Sequence, residues 1–116
     1  LVKWLQALHG GKVLSPRSYQ EMTTPSTLAD GTPLRYGMGI GVGTDIRGLR
    51  MIGHGGSISG FMAEADWYPD AQMAVVVLIN NNGNLDPGAL AGELAGEVLP
   101  WTRPSYPTFT GDATEL

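Results

Sequence analysis

The stretch Phe61-Met62-Ala63-Glu64-Ala65-Asp66-Trp67-Tyr68-Pro69-Asp70-Ala71-Gln72-Met73-Ala74-Val75-Val76-Val77-Leu78-Ile79-Asn80 reads as two strands joined by a short turn. Aromatic and β-branched residues concentrate in both runs, and Pro69-Asp70 between them is turn chemistry. Parallel pairing needs a crossover of about a dozen residues or more, so a connection this short makes the pair antiparallel. Val75 to Ile79 is continuously apolar, which predicts a central strand covered on both faces.

Toward the N-terminus, Leu49 to His54 is a third strand, with Gly55-Gly56 as turn formers before Phe61. Tyr36 opens a fourth period-two pattern, in which Gly37, Gly39, Gly41 and Gly43 alternate with Met38, Ile40, Val42 and Thr44. A phosphate-binding loop would need a strand, a turn and then a helix, whereas these glycines run on into Asp45-Ile46-Arg47-Gly48 and another strand. The alternation instead strips one strand face so that another backbone can pass close to it. Toward the C-terminus, Asp86 caps a helix with Pro87 behind it, running to about Leu99 before Pro100. Leu90, Ala91, Leu94, Ala95 and Val98 would form its apolar face, with Glu93 and Glu97 in solvent. Gly88, Gly92 and Gly96 recur every fourth residue and read as close packing on the sheet.

Leu1 to His9 forms an amphipathic helix with Leu1, Trp4, Leu5 and Leu8 on one face, stopped by Gly10-Gly11. Ser15-Pro16 gives an N-cap and a first-turn proline for a second helix to about Thr23. Ser26 to Leu34 reads as a loop. The chain is thus expected to be α+β, with an antiparallel sheet of about four strands, a C-terminal helix packed on it and short N-terminal helices. Residues 100–116, opening Pro100-Trp101-Thr102-Arg103-Pro104, read as a proline-rich tail or linker. The first residue is Leu1 and no signal segment precedes the first helix, so a start inside a domain is expected.

Composition narrows the function classes. Of 116 residues, 42% are hydrophobic and 16% charged, which is a packed chain and not a disordered one. The net charge is −4, and Lys3, Lys12 and five scattered arginines make no basic stripe for a phosphate backbone, so nucleic acid is excluded as a partner. With no cysteine there is no disulfide, thiol nucleophile or thiolate metal site. Met73 to Ile79 is too short an apolar run to cross a bilayer, which takes about 20 residues. His9 and His54 lie far apart in sequence with no carboxylates arranged around them, so neither a metal nor a cofactor is expected. His9, at a helix end, reads as a partner of the helix dipole.

Tyr36-Gly37-Met38-Gly39, Gly53-His54-Gly55-Gly56, Gly60-Phe61, Trp67-Tyr68-Pro69-Asp70 and Leu78-Ile79-Asn80-Asn81 together resemble the C-terminal part of the penicillin-recognising serine hydrolases. That family includes class C beta-lactamases, DD-carboxypeptidases, D-aminopeptidases and esterases, and the likeness spans residues 1–99. It implies a segment of the beta-lactamase/transpeptidase-like fold. Its chemistry uses a Ser-x-x-Lys turn, where lysine activates the serine, and a Tyr-x-Asn or Ser-x-Asn loop. Neither motif occurs in this sequence, and Gly55-Gly56-Ser57-Ile58-Ser59 also fails the Gly-x-Ser-x-Gly pattern. Both missing motifs normally lie upstream of the matched part.

The family's third motif, Lys-Thr-Gly or a variant beginning with histidine, is matched by His54-Gly55-Gly56. The resemblance implies that His54 faces the cleft, donating to a substrate carboxylate or joining the proton relay, with a side chain that titrates near neutrality as lysine does not. It also implies that Ser57 lends its backbone N–H to the oxyanion hole, whose second donor is the absent serine's own N–H. Gly55 and Gly56 would let an extended substrate lie along the strand, and Asn80 and Asn81 would touch it. Asn82-Gly83 also reads as a plain turn. The expectation is a C-terminal fragment of a serine hydrolase acting on a D-amino-acid peptide, ester or lactam, inactive alone and completed by its missing N-terminal part or a second chain. Histidine in place of lysine points from lactamase toward peptidase or esterase. The alternatives are a non-catalytic ligand-binding module, or a dimerisation module pairing as a homodimer through its exposed sheet. The resemblance also implies a bacterial, extracytoplasmic setting, periplasmic or secreted.

Overall fold

Ser15 and Asp86 each start a helix with a side-chain oxygen on orphan backbone donors. Ser15 Oγ accepts from Ser18 N at 3.2 Å, and Asp86 Oδ1 accepts from Gly88 N at 2.8 Å and Ala89 N at 3.3 Å. In both cases proline follows at the first helical position. The computed structural model describes residues 1–81 and 83–99. The predicted tail at 100–116, and Asn82 of the predicted Asn82-Gly83 turn, lie outside the described residues.

Three helices result, α1 (Val2–His9), α2 (Pro16–Thr23) and α3 (Pro87–Val98), with strands β1 (Gly41–Thr44), β2 (Arg50–Ile58), β3 (Phe61–Tyr68) and β4 (Met73–Ile79). The strands form one antiparallel sheet in the order β1-β2-β3-β4, so the α+β architecture expected from the sequence is present. A 3-10 turn at Pro69–Ala71 joins β3 to β4, ending with Gln72 in the left-handed region.

The sheet is packed on both faces. On one, Tyr68, Val75 and Val77 bury against Ala91 and Ala95 of α3, with Met51, Leu90 and Leu99 at the margin. On the other, Ile52 pairs with Trp67, and the His9 ring at the end of α1 stacks on Trp67 with centroids 5.2 Å apart. Leu5 and Leu8 of α1 are buried there, while Leu1 and Trp4 stay exposed. His9 Nδ1 lies 2.7 Å from the Tyr19 hydroxyl. His9 is in the last turn of α1 as expected, and burial lowers its pKa, which works against a charged ring there.

Four expectations need correction. β4 is covered on both faces as expected, by α3 on one side and α1 on the other, but among the described residues it has β3 as its one strand neighbour. Gly55-Gly56 is inside β2, which runs on to Ile58 and turns at Ser59-Gly60. Only Gly41–Thr44 of the glycine alternation is strand, because Gly39 adopts φ +74° and Gly37 N–H bonds Ile40 O in a turn. On α3, Leu94 and Val98 are exposed and the small residues Ala91 and Ala95 face the sheet.

That last arrangement sets up a contrast. Ala91→Leu forces side-chain volume into a filled interface and is expected to cost about 1–3 kcal/mol. Leu94→Ala, half exposed, should change stability by less than about 0.5 kcal/mol. Urea unfolding of the two variants checks both values.

Candidate active site

β2 lies between two partners for only part of its length. Gly41 to Thr44 of β1 pair with Gly53 to Arg50, whereas β3 follows β2 through Ile58. From His54 onward, the β2 edge facing away from β3 has no strand along it among the described residues. The oxygen of Gly53 points at β1, 3.0 Å from where a side chain on Gly41 would begin. In an antiparallel strand alternate residues direct their backbone N–H and C=O to the same side. Gly55 and Ser57 therefore present theirs on the open edge.

Side chains alternate across the same strand. Gly53 and Gly55 face the α3 side, where Asp66 and Glu64 lie directly opposite in register. A Cβ on Gly53 would sit 2.1 Å from Asp66 Oδ1, and one on Gly55 would sit 2.8 Å from Glu64 Oε2. At Gly53 the Ala65 carbonyl oxygen, 2.8 Å from that Cβ, adds a backbone constraint and imposes glycine, whereas at Gly55 the crowding comes from the movable end of the Glu64 side chain. Gly56 faces the other way and meets nothing within 4 Å.

Those carboxylates belong to a buried polar group. Asp45 accepts from Arg47 N at 2.9 Å and Leu49 N at 3.0 Å, and holds the buried Arg47 guanidinium through Nε at 2.9 Å and Nη2 at 2.5 Å. Burial raises the Asp66 carboxyl to about 7, reinforced by the charge of Glu64, a hydrogen bond with Glu64 and the charge of Asp45. The group makes no metal site: among the described residues no set of three or more histidines and carboxylates could hold an ion.

On the opposite face His54 stands exposed. Its Nδ1 lies 2.5 Å from Gly55 O and its Nε2 2.7 Å from the Tyr36 hydroxyl, with the two rings edge-on at 5.7 Å. Tyr36 is carried there by the end of α2. Its carbonyl accepts Ser26 N–H, Met38 N–H bonds Met22 O, and Gly37 passes so close that a Cβ would lie 2.1 Å from Met22 O. Tyr36 entered the sequence reading only within its glycine motif. The signal for its role was there in Tyr36-Gly37-Met38-Gly39, but its pairing with a residue 18 positions on depends on the fold.

The other expected residues separate. Gly56, Ser57 and Asn80 line one cleft of about 450 Å³ with Ile58, Phe61 and Leu78, so β2 and the end of β4 do share a depression. His54 is not in its lining. Asn81 is exposed, lies beside Gly83 and does not line that cleft.

Comparison with known proteins gives the chain its relatives. The family described as Beta-lactamase matches residues 1–99. A D-aminopeptidase of Brucella ovis is 28% identical over 104 residues, covering 90% of this chain and 20% of the relative. A D-aminopeptidase of Cereibacter sphaeroides is 33% identical over 89 residues, covering 74% of this chain and 17% of its own length. The chain spans about a fifth of the length of these curated relatives.

The Asp66 carboxyl gives the site region a pH signature. The folded chain keeps a proton there that the unfolded chain releases above about pH 4, so stability is full below that pH and is lost as pH rises through about 7. After discounting for solvent screening the loss is on the order of 2 kcal/mol. Asp66→Asn, which stays neutral, should flatten the profile between pH 4 and 8 in denaturant titrations.

Proposed function

The chain belongs to the beta-lactamase family of serine hydrolases, and on that premise we propose that it forms the histidine wall of an acyl-enzyme active site that cleaves amide or ester bonds. The observation carrying this reading is the open edge of β2, where the strand's unpaired side begins at His54 and includes the Ser57 N–H. An extended substrate can pair there as an added strand, its carbonyl oxygen reaching Ser57 N–H. The nucleophile, its lysine and the Tyr-x-Asn loop are supplied by polypeptide upstream of Leu1 or by a second chain. With one oxyanion donor and no nucleophile, the 116 residues alone turn over nothing measurable. The relatives named D-aminopeptidase favour a D-amino-acid peptide as substrate over a lactam, and an extracytoplasmic bacterial setting accompanies this reading.

The test compares the chain alone with the complete protein on a D-alanyl anilide, a nitrophenyl ester and a chromogenic lactam. The chain alone is expected to be inert. The complete protein is expected to hydrolyse the anilide or the ester, and His54→Ala to lower kcat/KM by about a hundredfold or more. Turnover by the isolated chain, or a complete protein with no Ser-x-x-Lys either upstream of Leu1 or on a second chain, would sink the proposal.

A second reading, dimerisation through the sheet, draws on the exposed Ile58, Phe61 and Leu78 beside one another at the end of β2, β3 and β4. Light scattering decides it: a dimer that Phe61→Lys dissociates supports the reading, and a monomer at high concentration removes it.

A further inference from the structure

The hydrogen bonds of His54 assign its protons. Gly55 O is a carbonyl and can only accept, so Nδ1 carries a hydrogen and donates to it. A neutral imidazole has one N–H, which leaves Nε2 with a lone pair, and the Tyr36 hydroxyl 2.7 Å away must donate to it. Both ring nitrogens are then engaged within the protein, and the ring has no N–H left for a ligand. Tyr36 is 43% exposed, and with its proton committed to Nε2 its oxygen meets solvent or ligand as an acceptor.

Resting on the reading of β2 as one wall of a hydrolase site, we propose that Tyr36 is a positioning residue that, together with the Gly55 carbonyl, holds His54 as the Nδ1–H tautomer and turns this wall into an acceptor. The pair accordingly favours a substrate N–H or ammonium beside His54, and disfavours a carboxylate there. This reverses the donor role that the sequence assigns to His54, and it matches a substrate with a free amino end. The arrangement is built and not incidental. Two backbone hydrogen bonds, Ser26 N–H to Tyr36 O and Met38 N–H to Met22 O, both at 2.9 Å, pin the segment carrying Tyr36. The register Gly41↔Gly53 fixes the strand carrying His54. Neither side chain has to be drawn from elsewhere to make the contact.

The decisive measurement needs only the full 116-residue chain. Long-range proton–nitrogen spectra of the ¹⁵N-labelled chain at about pH 8, where an unperturbed imidazole is neutral, distinguish a protonated from an unprotonated ring nitrogen. Comparison with His54→Gln identifies the His54 signals. The expected wild-type pattern is a protonated Nδ1 and an unprotonated Nε2. In Tyr36→Phe, with the donor to Nε2 gone, the Nε2 signal should shift toward the protonated form. A wild-type ring protonated on Nε2 overturns the proposal without any variant, and so does a tautomer that Tyr36→Phe leaves unchanged. A second arm uses the complete hydrolase. Tyr36→Phe should reduce its preference for a D-alanyl anilide over the N-succinylated anilide by roughly tenfold, the usual effect of one charge-assisted hydrogen bond; an unchanged preference overturns the specificity part. A complete protein that hydrolyses neither compound refutes the hydrolase reading, while the spectra still decide the tautomer.

Discussion

Two carboxylates behind one strand govern the rest of this structure. Glu64 and Asp66 project from β3 onto Gly55 and Gly53 of β2, where a side chain on Gly53 would collide with Asp66 and the Ala65 backbone and one on Gly55 would have to displace the end of Glu64. The residues most needed for a bare, accessible strand are thus glycine for a reason on the far side of the sheet. Burial, with the charges of Glu64 and Asp45, raises the Asp66 carboxyl to about 7, and its neutral form costs less to bury than a carboxylate. Glu64 and Asp66 also border the ion pair of Asp45 and Arg47, whose backbone contacts close the turn between β1 and β2. A strand that looks designed for substrate is equally well specified by its buried neighbours.

The two faces of the sheet consequently do different work. The α3 face is apolar at the β4 side and polar at the β2 side, with Ala91 and Ala95 bringing the helix close to Val75 and Val77. The opposite face holds Ile52 and Trp67 under α1, then becomes open from His54 onward. Packing energy lies where the strands are covered. The exposed chemistry begins where the covering ends, so that loss of a ligand group at His54 should not be confused with loss of the fold.

Much of this was legible in the sequence. Ser15-Pro16 and Asp86-Pro87 located two helix starts to the residue, because a capping oxygen followed by proline is a local signal with one structural meaning. The antiparallel order followed from connection lengths alone. What misled was symmetry between alternatives that only tertiary structure breaks. Val75 to Ile79 is apolar on both sides whatever covers it, so its composition says nothing of how many strands flank it, and among the described residues that is β3 alone. Gly55-Gly56 suits a turn as well as a strand, and only Glu64 opposite Gly55 decides between them. In the candidate site His54 was legible through its motif, whereas Tyr36 was not, because a contact across 18 residues has no local period. Asn80 and Asn81 follow β4 directly, and adjacency gave no reason for both to reach the same cleft, since successive residues of an extended chain point to opposite sides.

One backbone position ties together the two features on which the functional reading rests. Gly39 takes φ +74°, a conformation that costs other residues about 1–2 kcal/mol, and so the chain turns between Gly37 and Ile40 instead of continuing as strand. Because it turns there, β1 cannot begin before Gly41, and β2 loses its neighbour immediately after Gly53. The same turn sends residues 35 and 36 back along β1, with Val42 N–H bonding Arg35 O and Tyr36 bridging Gly41. The phenol is thereby left at the mouth of the opening it helped create, beside His54. An open strand edge and an oriented imidazole are therefore not two independent properties of this wall. Both follow from where the first strand is made to start.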